Sequence, residues 1–166
     1  MAFGVSDRKN NQNYIFNAFG PFAVQQFSKQ PYNLGFADEQ HIRELSVHEF
    51  GHSFVNPLLD KVPKEWIKNT SSVYDTVKSA MTDQGYDNWM TCLYEHFVRA
   101  GEVVIARNMG YAENAEKLEN DYINNRKFIY LPIIVKELER YNNNKQVSYS
   151  DVIKKVMEEF NKIKRH

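Results

Sequence analysis

The chain has 166 residues, enough for one domain with a substantial core, and its composition of 42% hydrophobic, 14% aromatic and 25% charged residues is that of a folded globule. Lys plus Arg equals Asp plus Glu at 21 each, and the longest basic run is Lys162-Ile163-Lys164-Arg165, so nucleic acid is excluded as an expected partner. The only cysteine is Cys92, which rules out an internal disulfide and a Cys-rich zinc site, and no stretch reaches the ~18 apolar residues of a membrane span.

In chain order, residues 1–13 contain no apolar signal-peptide core. Ordered patterning begins almost at once, which leaves open that the chain is a fragment of a longer protein. Residues 13–19 and 22–27 flank Gly20-Pro21 and read as two short strands around a turn. From Asp38 onward helical periodicity takes over. Asp38 is the candidate N-cap of a helix over 39–55, and Asn56-Pro57 is expected to end it, because the residue before a proline is pushed out of the α region. Further helices are expected around Trp66 and over 73–81, 88–106, 112–126, 128–141 with Pro132 in its first turn, and 150–162, with 142–145 as an exposed loop. The reading is one α+β domain over 1–166, mostly α-helical, with a strand-rich part at 1–35 and a helical part at 36–166.

The chemistry concentrates in the first of these helices. It reads Ser46-Val47-His48-Glu49-Phe50-Gly51-His52-Ser53-Phe54, an HExxH pattern that the chain's own residue frequencies would produce by chance about 1% of the time. In a helix His48 and His52 fall on one face, where two imidazoles can share one ion. Leu45, His48, His52 and Val55 form one stripe; Val47, Phe50 and Phe54 form another. A helix apolar on both sides is expected to be buried, and Gly51 lets a neighbour approach closely. Buried histidines and a glutamate need something to satisfy them, and a metal does. The bland alternative is a pair of histidines bonded to backbone carbonyls.

Catalytic zinc takes three protein ligands and leaves one position for water. The pattern HExxHxxGxxH would require Gly and His where the chain has Val55 and Leu58, and a thermolysin-type glutamate about twenty residues on would fall at Ser71 or Ser72. The remaining source is the apolar helix over 88–106, on which Cys92, Glu95, Arg99, Glu102 and Ala106 share a face. Glu95 is the candidate third ligand, braced by Arg99; Glu102 and His96 are the alternative ligands. The competing reading is a Glu95-Arg99-Glu102 ion-pair ladder lining a surface groove.

The blocks HEFGHSFVNP, from His48 to Pro57, and YEHFVRA, from Tyr94 to Ala100, resemble a bacterial family of uncharacterised proteins, classed as a domain of unknown function and grouped with gluzincin-like HExxH peptidases. That resemblance implies a zincin-like fold with a small N-terminal sheet, His48 and His52 as ligands, Glu49 as general base and a glutamate on a later helix as third ligand. It also implies an exported or cell-envelope protein. The expected activity is zinc-dependent hydrolysis of a peptide or protein substrate, with Zn2+ as cofactor and Glu49 shuttling the proton. Tyr94, Tyr111 and His96 are the candidates for stabilising the oxyanion. The alternatives are a zinc-containing module that binds peptides without cutting them, and a helical domain without metal. Oligomeric state is not readable from the chain.

Overall fold

A computed structural model describes residues 2–7, 14–19 and 39–163. Two strands, β1 (Ala2–Asp7) and β2 (Tyr14–Phe19), pair antiparallel with Ala2 opposite Phe19 and Asp7 opposite Tyr14. The expected strand over 13–19 therefore exists, but its partner is β1. The segment 22–27, expected to pair with it, lies outside the described residues, as do the expected cap Asp38 and the basic residues Lys164 and Arg165.

The helices follow: α1 (Glu39–Leu59), α2 (Lys64–Thr70), α3 (Ser72–Thr82), α4 (Trp89–Asn108), α5 (Ala112–Asn120) running into a π-helical turn at Asp121–Asn125, α6 (Leu131–Asn143) and α7 (Tyr149–Ile163). The expected α+β, zincin-like fold is thereby overturned. From Glu39 to Ile163 every regular element is a helix, and the β1–β2 pair is the one sheet among the described residues. The physical reason lies in the repeat of apolar residues: each helix after α1 carries a 3.6-period apolar face, and those faces cover one another without a sheet.

The chain separates into two compact units, residues 1–54 and 55–166, and the boundary falls inside the continuous α1. In the first unit β1 and β2 form their own two-stranded pair. In the second unit α4 is the central element. It packs on α5 and α6, α6 packs on α7, and α7 packs on α2. Its start is fixed by Asn88, whose side-chain oxygen accepts from the Thr91 amide at 3.0 Å. Leu93, Phe97, Ala100 and Val103 are fully buried along it, and Trp89, Tyr130 and Phe160 form an aromatic cluster with centroids 5.4 to 6.3 Å apart. The Trp89 indole N–H donates to the Thr70 hydroxyl at 2.9 Å, so the cluster is polar-satisfied as well as packed.

Helix α1 corrects a second expectation. It does not stop at Asn56 but continues through Pro57 to Leu59. A proline inside a helix removes one hydrogen bond and costs about 3 kcal/mol. Here Val55 and Leu59, one turn apart on either side of it, are buried in the core of the second unit, and burying such side chains contributes about 1.5–3 kcal/mol each. The Asp60 amide also donates to the Asn56 carbonyl at 2.9 Å, which carries the ladder past the proline. Tertiary burial offsets the local penalty.

Candidate metal centre

The i, i+4 spacing on α1 places His48 and His52 side by side, with their rings nearly perpendicular at 87°. Their Nε2 atoms are 3.2 Å apart. Two nitrogens each about 2.0–2.1 Å from a tetrahedral ion stand about 3.3 Å from one another, so the pair is held at the separation that two zinc ligands need. Glu49 follows His48 directly and is half-buried, as are both histidines. The other stripe of the helix departs from expectation: Phe50 and Phe54 are 40% and 63% exposed, so α1 is buried on one side only.

In the second unit α4 carries the acidic stripe. Glu95, Arg99 and Glu102 are all buried, which corrects the picture of a ladder along a surface groove. Arg99 Nη2 lies 3.1 Å from Glu95 Oε2, one turn away, and the guanidinium sits over the rings of both Tyr122 and Phe128, 4.9 Å from each centroid. Burial works against the Arg99 charge, but the carboxylates of Glu95 and Glu102 overcome it and raise the guanidinium pKa. The Tyr122 hydroxyl donates to Glu102 Oε2. Tyr86 accepts from Arg99 Nη2 at 3.2 Å; burial first, then the Glu95 charge, raises its phenol pKa. Among the described residues Arg99 is the one buried Lys or Arg side chain, and it faces two buried carboxylates.

His96 points elsewhere. It is fully buried, with its ring 4.7 Å from that of Phe128, and Nδ1 lies 2.8 Å from the Cys92 carbonyl of the same helix. Burial lowers its pKa to about 4, so at neutral pH the ring is uncharged. Tyr94 donates its hydroxyl to Asp60, and burial followed by that hydrogen bond pushes its pKa up to about 12. Tyr111 is 38% exposed at the start of α5. Sequence reasoning missed Tyr86 and Tyr122. They stand 9 residues before and 27 residues after Glu95 in the chain, and no helical spacing connects them to it.

Residues 2–161 match the model of a family described as a domain of unknown function, DUF4932. The chain belongs to that family. No curated protein and no solved structure matches it. Among its described residues, this DUF4932 chain has no helix long and apolar enough to cross a membrane.

Proposed function

We propose that this DUF4932 chain is a zinc-dependent peptidase in which His48, His52 and Glu95 hold the metal and Glu49 is the general base. The observation that carries the reading is the 3.2 Å separation of the two HExxH imidazole nitrogens. Two imidazoles and one carboxylate are the donor set of a hydrolytic zinc site with an open fourth position, and the set contains none of the thiolates usual in structural zinc.

Zinc, when bound, supplies Lewis acidity that activates a water and polarises a carbonyl. The remaining steps belong to the protein. Glu49, adjacent to His48 but not needed as a ligand, takes a proton from the attacking water as its oxygen bonds to the scissile carbon. As the C–N bond breaks, Glu49 returns that proton to the departing amine, so no other proton source is required. Arg99 pairs with the Glu95 carboxylate, and Tyr86 in turn holds Arg99.

The deciding experiment is elemental analysis of protein prepared without a His-tag, followed by a peptide-library assay of the wild type and Glu49→Gln. About one zinc per chain is expected, with full zinc content but roughly 10²-fold slower cleavage in the variant. A chain that takes up no zinc after reconstitution overturns the metal reading. A zinc-loaded wild type that binds peptides with or without Glu49 and cuts none of them makes the protein a binding module instead.

A further inference from the structure

We infer that Tyr86 is a positioning residue for the metal centre, its hydroxyl holding the Arg99 guanidinium, and through it the Glu95 carboxylate, from outside the helix that bears them both. The inference rests on the reading of Glu95 as a zinc ligand. Arg99 alone cannot fix that carboxylate in space, because it sits on the same helix one turn away and moves with it. Tyr86 comes from the loop between α3 and α4 and accepts from Arg99 Nη2 at 3.2 Å, the same nitrogen that lies 3.1 Å from Glu95 Oε2. A guanidinium anchored to a second element holds the carboxylate paired with it more firmly than a contact within one helix does.

The loop is built to place that phenol. Gly85 has φ +89°, a conformation open to glycine at no steric cost, and it closes α3. The Gly85 amide donates to the Thr82 carbonyl and the Tyr86 amide to the Met81 carbonyl, both at 2.9 Å, which is the paired bonding of a Schellman helix end. The Tyr86 carbonyl in turn accepts from the Tyr74 hydroxyl at 2.7 Å. Both backbone polar groups of Tyr86 are therefore held, and its ring lies tilted against Phe128, 6.1 Å between centroids. The side chain remains half-buried, while the Arg99 group it reaches and the Glu95 paired with it are buried. Such an arrangement is that of the outer hydrogen-bond partners of a metal ligand, whose loss typically costs 10- to 100-fold in metal affinity.

The test compares the wild type, Tyr86→Phe and Tyr122→Phe as full chains. Each variant removes one hydroxyl from the same buried cluster, but Tyr86 holds the guanidinium nitrogen paired with Glu95, whereas Tyr122 donates to Glu102. Zinc affinity is read by competition with a chromogenic chelator, the ligand field by the visible spectrum of the Co2+-substituted protein, and folding by the metal-free Tm. Tyr86→Phe is expected to weaken zinc binding about 10-fold and to alter the cobalt spectrum, with Tyr122→Phe close to wild type in both. Unchanged affinity and spectrum in Tyr86→Phe overturn the inference while leaving the zinc site standing. Equal losses in the two variants also overturn it, because they report general loosening of the cluster, as does a fallen metal-free Tm with zinc affinity intact. If the wild type binds neither zinc nor cobalt, the zinc reading itself has failed, and this inference fails with it.

Discussion

Arg99 and Glu95 form an ion pair at 3.1 Å whose two side chains are only 9% and 11% exposed. Removing one partner of a buried pair leaves the other charge uncompensated, which costs about 3–5 kcal/mol. Arg99→Met, which keeps the length of the side chain and removes the charge, should therefore lower stability by that order in urea unfolding of the metal-free protein. Added zinc should recover part of the loss by neutralising Glu95. A variant as stable as the wild type would show that the pair does not hold α4 in place.

Metal should also stabilise the fold as a whole. With free zinc 100-fold above its Kd, binding to the native state alone contributes about 2.7 kcal/mol, which for a chain of this size raises Tm by about 5–10 °C. The shift should vanish with EDTA, and should be absent in His48→Ala and His52→Ala. Calorimetric scans with and without zinc provide the measurement, and an identical zinc-dependent shift in the histidine variants would place the metal elsewhere.

The two buried glutamates of α4 should separate by role. Glu95→Gln removes a proposed ligand charge and is expected to weaken zinc binding about 10-fold or more, while Glu102→Gln, whose carboxylate receives the Tyr122 hydroxyl, should change it less. Chelator competition on both variants decides the order. A reversed order would transfer the ligand role to Glu102.

Within the core, Phe160 is fully buried against Trp89 and Tyr130. Phe160→Ala should destabilise the protein by about 3–5 kcal/mol, the lost transfer energy plus a cavity. Tryptophan fluorescence during unfolding measures this directly, since Trp89 is one wall of the cavity. A cost below about 1 kcal/mol would mean that α7 is not docked on the aromatic cluster.

At the start of α7, Ser148 and Asp151 cap the helix reciprocally: the Ser148 amide and hydroxyl donate to Asp151 Oδ2 at 2.9 and 2.7 Å, and the Asp151 amide donates to Ser148 Oγ at 3.2 Å. Those bonds favour the ionised carboxylate and lower the Asp151 pKa below its usual 3.8. A depressed carboxylate pKa adds stability above the unfolded-state value, and that increment is lost as pH falls through the lower folded value. Asp151→Asn should therefore lower Tm at neutral pH and converge on the wild type in strong acid, below about pH 3.8. A Tm deficit that persists unchanged into strong acid would assign the effect to the amide side chain rather than to the charge.

Local patterns determined by themselves where most of the helices lie and which face of two of them carries the chemistry. His48 and His52 are neighbours because the helix repeats every 3.6 residues, and Glu95 and Arg99 pair for the same reason. Asn88 caps α4 as a short polar side chain before an apolar run can, and Pro132 sits in the first turn of α6, where its missing N–H costs nothing. Relations between elements were decided only by the tertiary structure. Helix α1 passes through Pro57 because the buried Val55 and Leu59 outweigh a local penalty that sequence rules weigh alone. The strand at Tyr14–Phe19 pairs with Ala2–Asp7, since pairing depends on which segment meets it and not on its own alternation. The acidic stripe of α4 reads equally well as a solvated ladder or a buried one, and burial beneath Tyr122 and Phe128 settles it. Tyr86 reaches the Arg99–Glu95 pair, through Arg99, only because the turn at Gly85 redirects the chain, a contact that no periodicity along one helix encodes.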